Sequence, residues 1–261
     1  MRKILAILAS AAFLAGCTQT EICVATYNVG AFRKYQDNTV PMVAAMMNEI
    51  GAVAVGVNEI DSVTTRTSQR DELKEFAEAM GEGWDYNFSR AMPYAGGAYG
   101  IGTVVSPKFK VTGKYSVSLP KCDGSEPRAL SVIETESFVF ASTHLDHISD
   151  SARMVQAQTI TSWMEERYAD SRKPVILSGD FNDSPDSDVL SYLSENWNII
   201  SEQAPTFPSR GPRACIDFIM LLRNKAASKV LDTKVCTEFE SGDVEEASDH
   251  LPLYAKLKIR R

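Results

Sequence analysis

Residues 174–182 constrain the fold more than any other stretch of this sequence. The run at residues 175–177 is apolar without alternation, which is typical of a strand covered on both faces. Gly179 lets the backbone turn, and the polar residues Asp180 and Asn182 follow it. Taken alone, such an ending is a turn signal. This strand ending indicates a functional site, and not only a turn, if other strands also end in side chains of complementary chemistry.

The chain length and composition predict a single folded domain. The 261 residues, of which 44% are hydrophobic, are enough to bury one large core. No linker rich in proline, glycine or serine and no internal repeat divides residues 22–261. These residues are therefore predicted to form one domain.

The first residues predict export from the cytoplasm. Arg2 and Lys3 precede an apolar run at residues 4–14, which is too short to span a bilayer and is typical of a secretory signal. The sequence Leu-Ala-Gly-Cys that ends at Cys17 resembles the lipobox of bacterial lipoproteins, in which the cysteine becomes the lipidated first residue. An ordinary signal peptide that contains a cysteine is the alternative.

Three parts of the chain follow from this interpretation. We predict a lipoprotein signal peptide at residues 1–16, a short lipidated tether at residues 17–21 and the folded domain at residues 22–261. The protein is then expected in the bacterial cell envelope, attached to a membrane through a lipid on Cys17.

The charge of the chain argues against one class of partner. The whole sequence carries a formal net charge of −7, and removal of residues 1–16 takes away Arg2 and Lys3 without any acidic residue. Proteins that grip duplex DNA tightly usually carry a basic patch that neutralises phosphates. We therefore expect no stable nucleic-acid complex, although local basic residues could still bind one phosphate. We also expect the protein to be a monomer.

Four cysteines remain besides Cys17, and their pairing is left open by the sequence. In an exported protein they could form disulfides in three possible connectivities, or they could be buried free thiols. Their spacing matches no zinc site built from paired Cys or His. They are Cys23, Cys122, Cys215 and Cys236.

Many strand-like runs and few helices predict two sheets packed face to face with helices outside. Helical patterns occur at residues 43–50, from Ser68 with Asp71 as a capping box to Gly81, and at residues 150–168. Strand-like runs occur at residues 22–27, 52–57, 102–106, 108–118, 129–134, 138–142, 175–178, 216–222, 229–238 and 253–259.

Several of these predicted strands end or begin in residues of catalytic character. Each has a structural alternative as a turn residue, a cap or a solvated charge. However, all three histidines of the chain fall in such segments. The residues at these ends are Asn28, Asn58, Glu59, His144, Asp146, His147, Asp180, Asn182, Asp217, Asp249 and His250.

In this order, the segments resemble the endonuclease/exonuclease/phosphatase superfamily, from Thr26 to about Leu257. The resemblance implies an α/β (α+β) fold, a four-layer αββα sandwich of two mixed sheets between helical layers. It also implies a hydrolase that acts on phosphate esters and depends on Mg²⁺, with Mn²⁺ as a possible substitute. The residues that match the family's motifs are Asn28, Glu59, His144, Asp180, Asn182, Asp217, Asp249 and His250.

The resemblance also implies which residues of this site bind the metal. Glu59 is the expected direct ligand of the metal, because hard divalent cations favour carboxylate oxygens. Asn28 and Asp249 are expected close by, as ligands or through water.

The remaining matched residues are expected to bind the phosphate, to position the attacking water and to transfer the proton. The resemblance implies that Asp180 and Asn182 position the attacking water and the phosphorus. His250, oriented by Asp217, is expected to act as a base or as a donor to the phosphate. His144 is expected to contact the phosphate from the other side.

Two further residues are candidates for phosphate binding. Arg128 precedes a strand and could bind an oxyanion in a bidentate way, although a surface arginine is the alternative. Tyr99, in a glycine-rich loop, could donate a hydrogen bond. The chain departs from the family's usual pattern at Asn58, where glutamine is common, and at Gly100-Ile101 after the loop tyrosine, so substrate contacts there are open.

The sequence therefore predicts a metal-dependent phosphodiesterase that resembles nucleases. A lipid phosphodiesterase similar to sphingomyelinases, or a phosphomonoesterase, is the enzymatic alternative. A catalytically inactive surface binding lipoprotein is the alternative of another class, and the presence of Glu59, Asp180 and His250 argues against it. The sequence does not identify which phosphate ester is the substrate.

Overall fold

The computed structural model describes residues 19–260. The predicted signal peptide at residues 1–16 and the predicted lipidation site Cys17 lie outside this part of the chain. The first strand begins at Gln19, three residues before the predicted start of the domain, so it includes part of the predicted tether.

Residues 19–260 contain twelve strands. They are β1 (Gln19–Asn28), β2 (Ala54–Ser62), β3 (Asp85–Tyr94), β4 (Gly97–Val105), β5 (Val111–Leu119), β6 (Arg128–Thr135), β7 (Val139–His144), β8 (Val175–Asp180), β9 (Trp197–Ile199), β10 (Asp217–Leu222), β11 (Ser228–Val235) and β12 (Leu253–Arg260).

These strands form two six-stranded sheets, which we call the N-terminal sheet and the C-terminal sheet. The N-terminal sheet has the order β11-β12-β1-β2-β4-β3, and the C-terminal sheet has the order β5-β6-β7-β8-β10-β9. Each sheet contains one parallel pair, β1 with β2 and β7 with β8. The other neighbours run antiparallel, so both sheets are mixed, as predicted.

Five helices accompany the strands in the described part of the chain. They are α1 (Val40–Glu49), α2 (Glu72–Met80), α3 (Asp150–Tyr168), α4 (Asp188–Asn196) and α5 (Val244–Ala247).

The helices and the sheets form four layers. One hydrophobic core lies between the sheets and beneath α1 and α2, and it joins Met46 and Phe76 of these helices to Phe140 and Ile176 of the C-terminal sheet. The second core packs α3 and α4 on the outer face of the C-terminal sheet. The predicted αββα sandwich is confirmed. All these elements and both cores lie within residues 19–260.

The capping box predicted from Ser68 to Asp71 is wrong. Ser68 lies in the left-handed region with φ of 56°, at the end of a short 3₁₀ turn, and α2 begins three residues later than predicted. Asp71 is itself the N-cap, and its side chain accepts a hydrogen bond from the backbone N–H of Lys74. Gly81 follows the last residue of α2, as expected.

Four elements have no counterpart in the sequence prediction. Strand β3 has no clear alternation of buried and exposed residues, and β9 and α5 are short. Helix α4 begins at a serine cap, Ser187, which accepts from the N–H of Leu190.

The four described cysteines are free thiols. Cys23 and Cys236 are buried in the N-terminal sheet region, whereas Cys122 is exposed. Of the two alternatives left open by the sequence, the structure shows the unpaired one.

No described helix combines the length and the apolar character needed to cross a membrane.

Candidate active site

The two parallel strand pairs bring the predicted site residues together. At the carboxyl end of the first pair, Asn28 of β1 lies beside Asn58 of β2. At the carboxyl end of the second pair, His144 of β7 lies beside Asp180 of β8. On the other side of β8, Asp217 of β10 pairs with Asp180. The strand register therefore fixes the spacing of these side chains before any loop contributes.

Gly179 is required where β8 delivers Asp180. Its φ of 141° is rarely adopted by residues with a side chain, and a Cβ atom there would overlap the carbonyl oxygen of Thr143 on β7. The absence of a side chain lets β7 and β8 remain close at the point where His144 and Asp180 emerge.

The strand ends surround an open cavity of about 280 Å³. Eight of the predicted site residues line it, and Asn28 and Asp217 each lie one hydrogen bond behind it. The lining residues are Glu59, Tyr99, Glu126, Arg128, His144, His147, Asp180, Asn182, Phe207, Ile216, Asp249 and His250.

Asp180 lies at the centre of this constellation. Its Oδ2 accepts a hydrogen bond from Asn28 Nδ2 at 3.1 Å and lies 3.6 Å from Nε2 of both His144 and His250. Its Oδ1 accepts from the backbone N–H of Asn182 at 2.8 Å. Burial, together with the neighbouring Asp217, raises the pKa of Asp180 to about 7. The carboxyl is therefore suited to exchange a proton near neutral pH.

His250 is held as a cation by two carboxylates. Its Nδ1 bonds Asp217 Oδ2 at 2.9 Å. Burial alone would lower the pKa of His250, but Asp217 and Asp180 outweigh burial and raise that pKa to about 10. A protonated His250 directs an Nε2–H toward the cavity, so at neutral pH it is a hydrogen-bond donor rather than a base.

His144 is held in the opposite charge state. Arg128 donates from Nη1 to His144 Nδ1 at 3.2 Å, and an arginine has no acceptor to offer, so the proton of this neutral imidazole is on Nε2. Burial, and then the positive charge of Arg128, hold the pKa of His144 well below 6.5. Both imidazoles therefore present an Nε2–H to the region around Asp180.

Arg128 has protein partners for its guanidinium. Besides His144, it donates from Nη2 to His147 Nδ1 at 3.1 Å and pairs from Nη1 with Glu126 at 2.8 Å. Its side chain is buried, and its Nε has no partner among the described residues. The structure thus gives Arg128 the position of an organiser of two histidines at the cavity wall, alongside the predicted contact with phosphate.

Glu59, the expected metal ligand, lies in a bulge of β2. The pairing of β2 with β4 is interrupted between Val57 and Ile60, and Glu59 within this bulge has φ of 55°. Such strained bulges commonly re-aim a side chain at a functional site. Asn28 Nδ2 donates to Glu59 Oε1 at 3.0 Å, while Asn28 Oδ1 accepts from the backbone N–H of Gly30. Asn28 therefore presents its amide N–H, and not its oxygen, to the acidic residues.

Asp249 reaches the cavity opposite a lysine that the sequence did not point to. Lys34 Nζ lies 2.6 Å from Asp249 Oδ2, and the carbonyl of Asp249 accepts from the backbone N–H of Ser209. Lys34 follows a short 3₁₀ turn after β1, and in the sequence it looks like an ordinary loop lysine. A cation already sits against this carboxylate.

Tyr99 lines the cavity and is nearly buried, and its ring packs near Tyr94. The guanidinium of Arg66 lies 4.6 Å from the centroid of the Tyr94 ring and 5.6 Å from that of Tyr99. Arg66 is held from behind by Asp61. Tyr99 is thus part of a fixed aromatic wall.

Asp146 does not line the cavity, although it lies in the same segment as His144. Its carboxylate accepts from the backbone N–H of Ser125, Ile148 and Ser149. These hydrogen bonds depress the pKa of Asp146, although its burial acts in the opposite direction. Asp146 organises the loop around His147, and His147 reaches the cavity.

Comparison with known proteins identifies the family. The profile of the Endonuclease/Exonuclease/phosphatase family matches residues 25–250, and the chain belongs to this family. No curated protein sequence matches the chain.

Solved structures share the fold. A family protein from Bacteroides thetaiotaomicron is 21% identical to this chain with a TM-score of 0.70, and the superposition covers 93% of this chain and 99% of that protein's chain. A mannosyl-6-phosphatase from the same organism is 21% identical with a TM-score of 0.71, over 90% and 99% of the two chains. ANGEL2, a 2′,3′-cyclic phosphatase, is 12% identical with a TM-score of 0.69, over 92% and 95%. At these identities, the likeness shows the fold alone.

Membership of this family supports an ester hydrolase, a phosphoesterase of some kind. Enzymes of the family generally depend on a divalent metal, and an acidic cluster with a histidine is present in the site: Asp180, Asp217 and His250 offer ligand atoms within 4.8 Å of one another.

Proposed function

We propose that this protein hydrolyses phosphodiester bonds with the help of a bound divalent cation. The observation that carries the proposal is the arrangement around Asp180 Oδ2, where Nε2 of His144 and Nε2 of His250 both lie at 3.6 Å. Two N–H donors and one carboxylate with a raised pKa converge on a space in which a phosphate fits. Aimed donors of this kind stabilise the charge that develops on phosphate oxygens during attack.

The residues present fit a hard divalent cation. Four carboxylates, those of Glu59, Asp180, Asp217 and Asp249, converge at this end of the sandwich, and oxygen donors are what Mg²⁺ and Mn²⁺ prefer. Asp217 Oδ1 is buried without a hydrogen-bond partner among the described residues. Negative charge at the site therefore exceeds what the protein itself neutralises.

Glu59 is the residue that would hold the cation, and Asp249 would join it where the cation replaces Lys34 at Asp249 Oδ2. Asp217 Oδ2 is engaged by His250, whereas the described contacts of Glu59 leave its Oε2 without a hydrogen bond. Asn28 would orient Glu59 from behind. When bound, the cation neutralises phosphate charge and stabilises the departing oxygen.

Different protein residues then accept and donate the protons that are transferred in the reaction. The ionised Asp180 accepts a proton from the attacking water as the water oxygen bonds to phosphorus. Asn182 fixes Asp180 through its backbone N–H, and its side chain is tied to the carbonyl of Leu145. His250, as a cation, donates to a phosphate oxygen and supplies a proton as the bond from phosphorus to the leaving oxygen breaks. His144 donates from Nε2 and stays neutral.

A phosphomonoesterase is the second candidate. The structural likeness to a mannosyl-6-phosphatase favours it, and the donors described above would serve a monoester as well as a diester. We also propose that the enzyme works in the bacterial cell envelope, which rests on the lipobox-like residues that end at Cys17. The acidic net charge supports a small or single-stranded substrate over a long duplex.

A substrate panel tests this proposal. The chain from residue 19 onward would be assayed with Mg²⁺, Mn²⁺ or excess chelator on bis(p-nitrophenyl) phosphate, p-nitrophenyl phosphate, single- and double-stranded nucleic acids and sphingomyelin. We expect hydrolysis of a diester with added metal and none in chelator. Full activity in chelator would overturn the metal dependence, and hydrolysis of the monoester alone would select the second candidate.

Metal binding can be measured without turnover. Addition of Mn²⁺ should raise the melting temperature of the protein, because a ligand that binds only the folded state stabilises it. Glu59→Gln should lose this shift. Glu126→Gln removes a carboxylate from the same cavity on the side of Arg128 and should keep it. An equal shift in both variants would contradict the assignment of Glu59.

A further inference from the structure

A basic surface lies at the end of the sandwich that is opposite the catalytic cavity. Two adjoining clefts there, of about 370 and 520 Å³, share Ala227 and Arg260. We call them the basal clefts. Six basic residues and one acidic residue, Glu136, line them. The basic residues are Arg172, Lys173, Lys225, Lys229, Lys258 and Arg260.

The position of the basal clefts follows from the strand directions. Gln19, the first residue of β1, lines the first cleft, whereas Asn28, the last residue of β1, belongs to the catalytic site. A ten-residue strand is roughly 30 Å long at about 3.3 Å per residue. The basal clefts and the catalytic cavity therefore lie at opposite ends of the sandwich.

Much of the charge in the basal clefts is not neutralised by the protein. Lys225 pairs with Asp170, and Lys173 pairs with Glu134. Among the described residues, Arg172, Lys229, Lys258 and Arg260 form no ion pair.

The strand register also places like charges together. Lys229 and Lys258 face each other directly across β11 and β12, with Glu21 on the far side of Lys258. Like charges directly opposite in a sheet are destabilising, unless an anion lies between them. Glu21 offsets part of this charge, but the four cations without an ion pair remain unexpected on a chain whose net charge is −7.

Apolar side chains accompany these cations. Val230 and Leu231, which follow Lys229 on the outermost strand of the N-terminal sheet, are among the exposed large hydrophobic residues. Gln19 lines the first cleft, and the predicted lipidation site Cys17 precedes Gln19 by two residues in the sequence. Basic side chains with flanking apolar ones next to an anchor are features of a surface that lies on a membrane.

We propose that the basal clefts bind the anionic headgroups of a phospholipid bilayer and hold the catalytic cavity away from that membrane. Basic residues near an anionic membrane surface add attraction to whatever the predicted lipid on Cys17 supplies, and they also orient the domain. In this orientation, the opening of the cavity faces the aqueous phase. The substrate is then a dissolved phosphate ester and not a lipid of the same bilayer, a consequence that rests on the proposed function.

Vesicle binding tests the surface without any enzymatic assay. The chain from residue 19 onward, which lacks the apolar leader and Cys17, would be sedimented with vesicles of phosphatidylglycerol or of phosphatidylcholine alone. We expect salt-sensitive binding to the first and none to the second. The double variant Lys229→Glu and Lys258→Glu should weaken binding by roughly tenfold or more, since each basic residue near an anionic surface adds to the attraction.

A matched variant controls for net charge. Lys74→Glu with Lys234→Glu makes the same change in charge at exposed positions outside the basal clefts, and it should bind like the unaltered chain. Equal weakening in both double variants, equal binding to both kinds of vesicle, or binding to soluble heparin but not to phosphatidylglycerol would overturn the proposal.

A label at the catalytic end tests the orientation. Cys122 is exposed in the loop that reaches the cavity through Ser125, Cys215 is half-buried, and Cys23 and Cys236 are buried, so the label is placed in a Cys215→Ser background. A fluorescent dye on Cys122 should stay accessible to aqueous iodide when the protein is bound to vesicles. Quenching of this dye by spin-labelled lipid would show that the catalytic end contacts the bilayer and would refute the orientation, whatever the enzyme hydrolyses.

Discussion

Two groups of buried carboxylates in this protein differ in how completely their charge is satisfied. Asp61, beside the helix α2, is fully buried, and both its oxygens are paired: Arg66 donates to them from Nε at 2.6 Å and from Nη2 at 2.8 Å. Thr64 adds a further hydrogen bond. The neighbouring Glu72 avoids an unpaired charge in another way, since burial raises the pKa of Glu72 to about 8.

Asp180 and Asp217 are equally buried but incompletely paired. Asp217 Oδ1 has no partner in the described chain, and the two imidazoles stand 3.6 Å from Asp180 Oδ2, beyond a good hydrogen bond. An unpaired oxygen alone does not separate the two groups, because Glu72 Oε1 also lacks a partner in the described chain. Asp180 differs in that it lines a cavity and has no cation within good hydrogen-bonding distance. Burial of a carboxylate therefore marks a candidate site only where its charge is incompletely paired beside a cavity.

The largest expected effect comes from Asp180→Asn. The amide keeps the size of the side chain but cannot accept a proton, so we expect turnover of the best phosphate ester to fall by about 10⁴-fold. Single-turnover kinetics measure this loss, and circular dichroism verifies the fold. A variant that keeps more than a tenth of the activity would remove Asp180 from the proton transfer and end the contrast with Asp61.

Arg128→Lys should have the next largest effect. A lysine cannot donate to His144 and His147 at once, so the neutral His144 loses the contact that fixes its tautomer. Residues that orient catalytic groups from behind typically contribute 10- to 100-fold, and we expect a loss of about that size in kcat. NMR of the imidazole nitrogens should show His144 in a mixture of its two neutral tautomers, while burial and the retained positive charge keep the pKa of His144 below 6.5.

A buried arginine elsewhere provides the control for Arg128. Arg153 is also buried, and it pairs with Asp150 and Asp183 away from the cavity. Arg153→Lys should cost stability but leave the Nε2–H tautomer of His144 unchanged. If Arg128→Lys lowered only stability, its role would be structural.

The pH dependence of turnover should show two limbs of about tenfold per pH unit. Asp180 must be ionised, so kcat/KM should rise as pH increases toward about 7. His250 must be protonated, so kcat/KM should fall above about 10. Asp217→Asn removes a carboxylate that raises the pKa of His250, and it should move the upper limb to lower pH. An upper limb that did not move would contradict the pairing of these residues.

The smallest effect on catalysis is expected from Asp61→Asn. Breaking this pair leaves Arg66 without its carboxylate, but Arg66 is partly exposed, so we expect a loss of about 2 kcal/mol in the free energy of unfolding, below the range for fully buried pairs. Turnover should stay within about threefold. Urea unfolding and kcat measured on the same preparation separate the two outcomes, and a loss of turnover without a loss of stability would place Asp61 with Asp180.

Much of the fold and of the site followed from local patterns. Continuous apolar runs such as residues 175–177 predict buried strands, and the buried strand β8 confirms this interpretation. The structure places the predicted residues Glu59, His144, Asp180 and His250 around one cavity. Strand ends that carry polar side chains are informative because parallel strands deliver their ends to the same edge.

Other features depend on contacts that no local pattern encodes. Lys34 and Glu126 lie in loops, where lysine and glutamate are ordinary, and only the tertiary structure brings them to Asp249 and Arg128. The cap of α2 was placed wrongly because both Ser68 and Asp71 are good N-caps, and the left-handed backbone at Ser68 removes it from the helix. The basal clefts join residues of β11, β12 and distant loops, so their charge is invisible in the linear sequence.

Asn58 has a consequence for how the protein can move. Its amide nitrogen donates across the sandwich to Ser142 Oγ at 3.2 Å and to the carbonyl of Thr143 at 2.8 Å, so a residue of the N-terminal sheet is tied to the C-terminal sheet. Beside it, Gly56 leaves no room for a side chain between the sheets, because an added Cβ would meet Ser142 and Ser178. The layers therefore cannot slide past one another next to the cavity without breaking these bonds. Adjustment to a substrate is therefore expected in the loops at the rim, and not in the relative position of Glu59 on one sheet and His144 on the other.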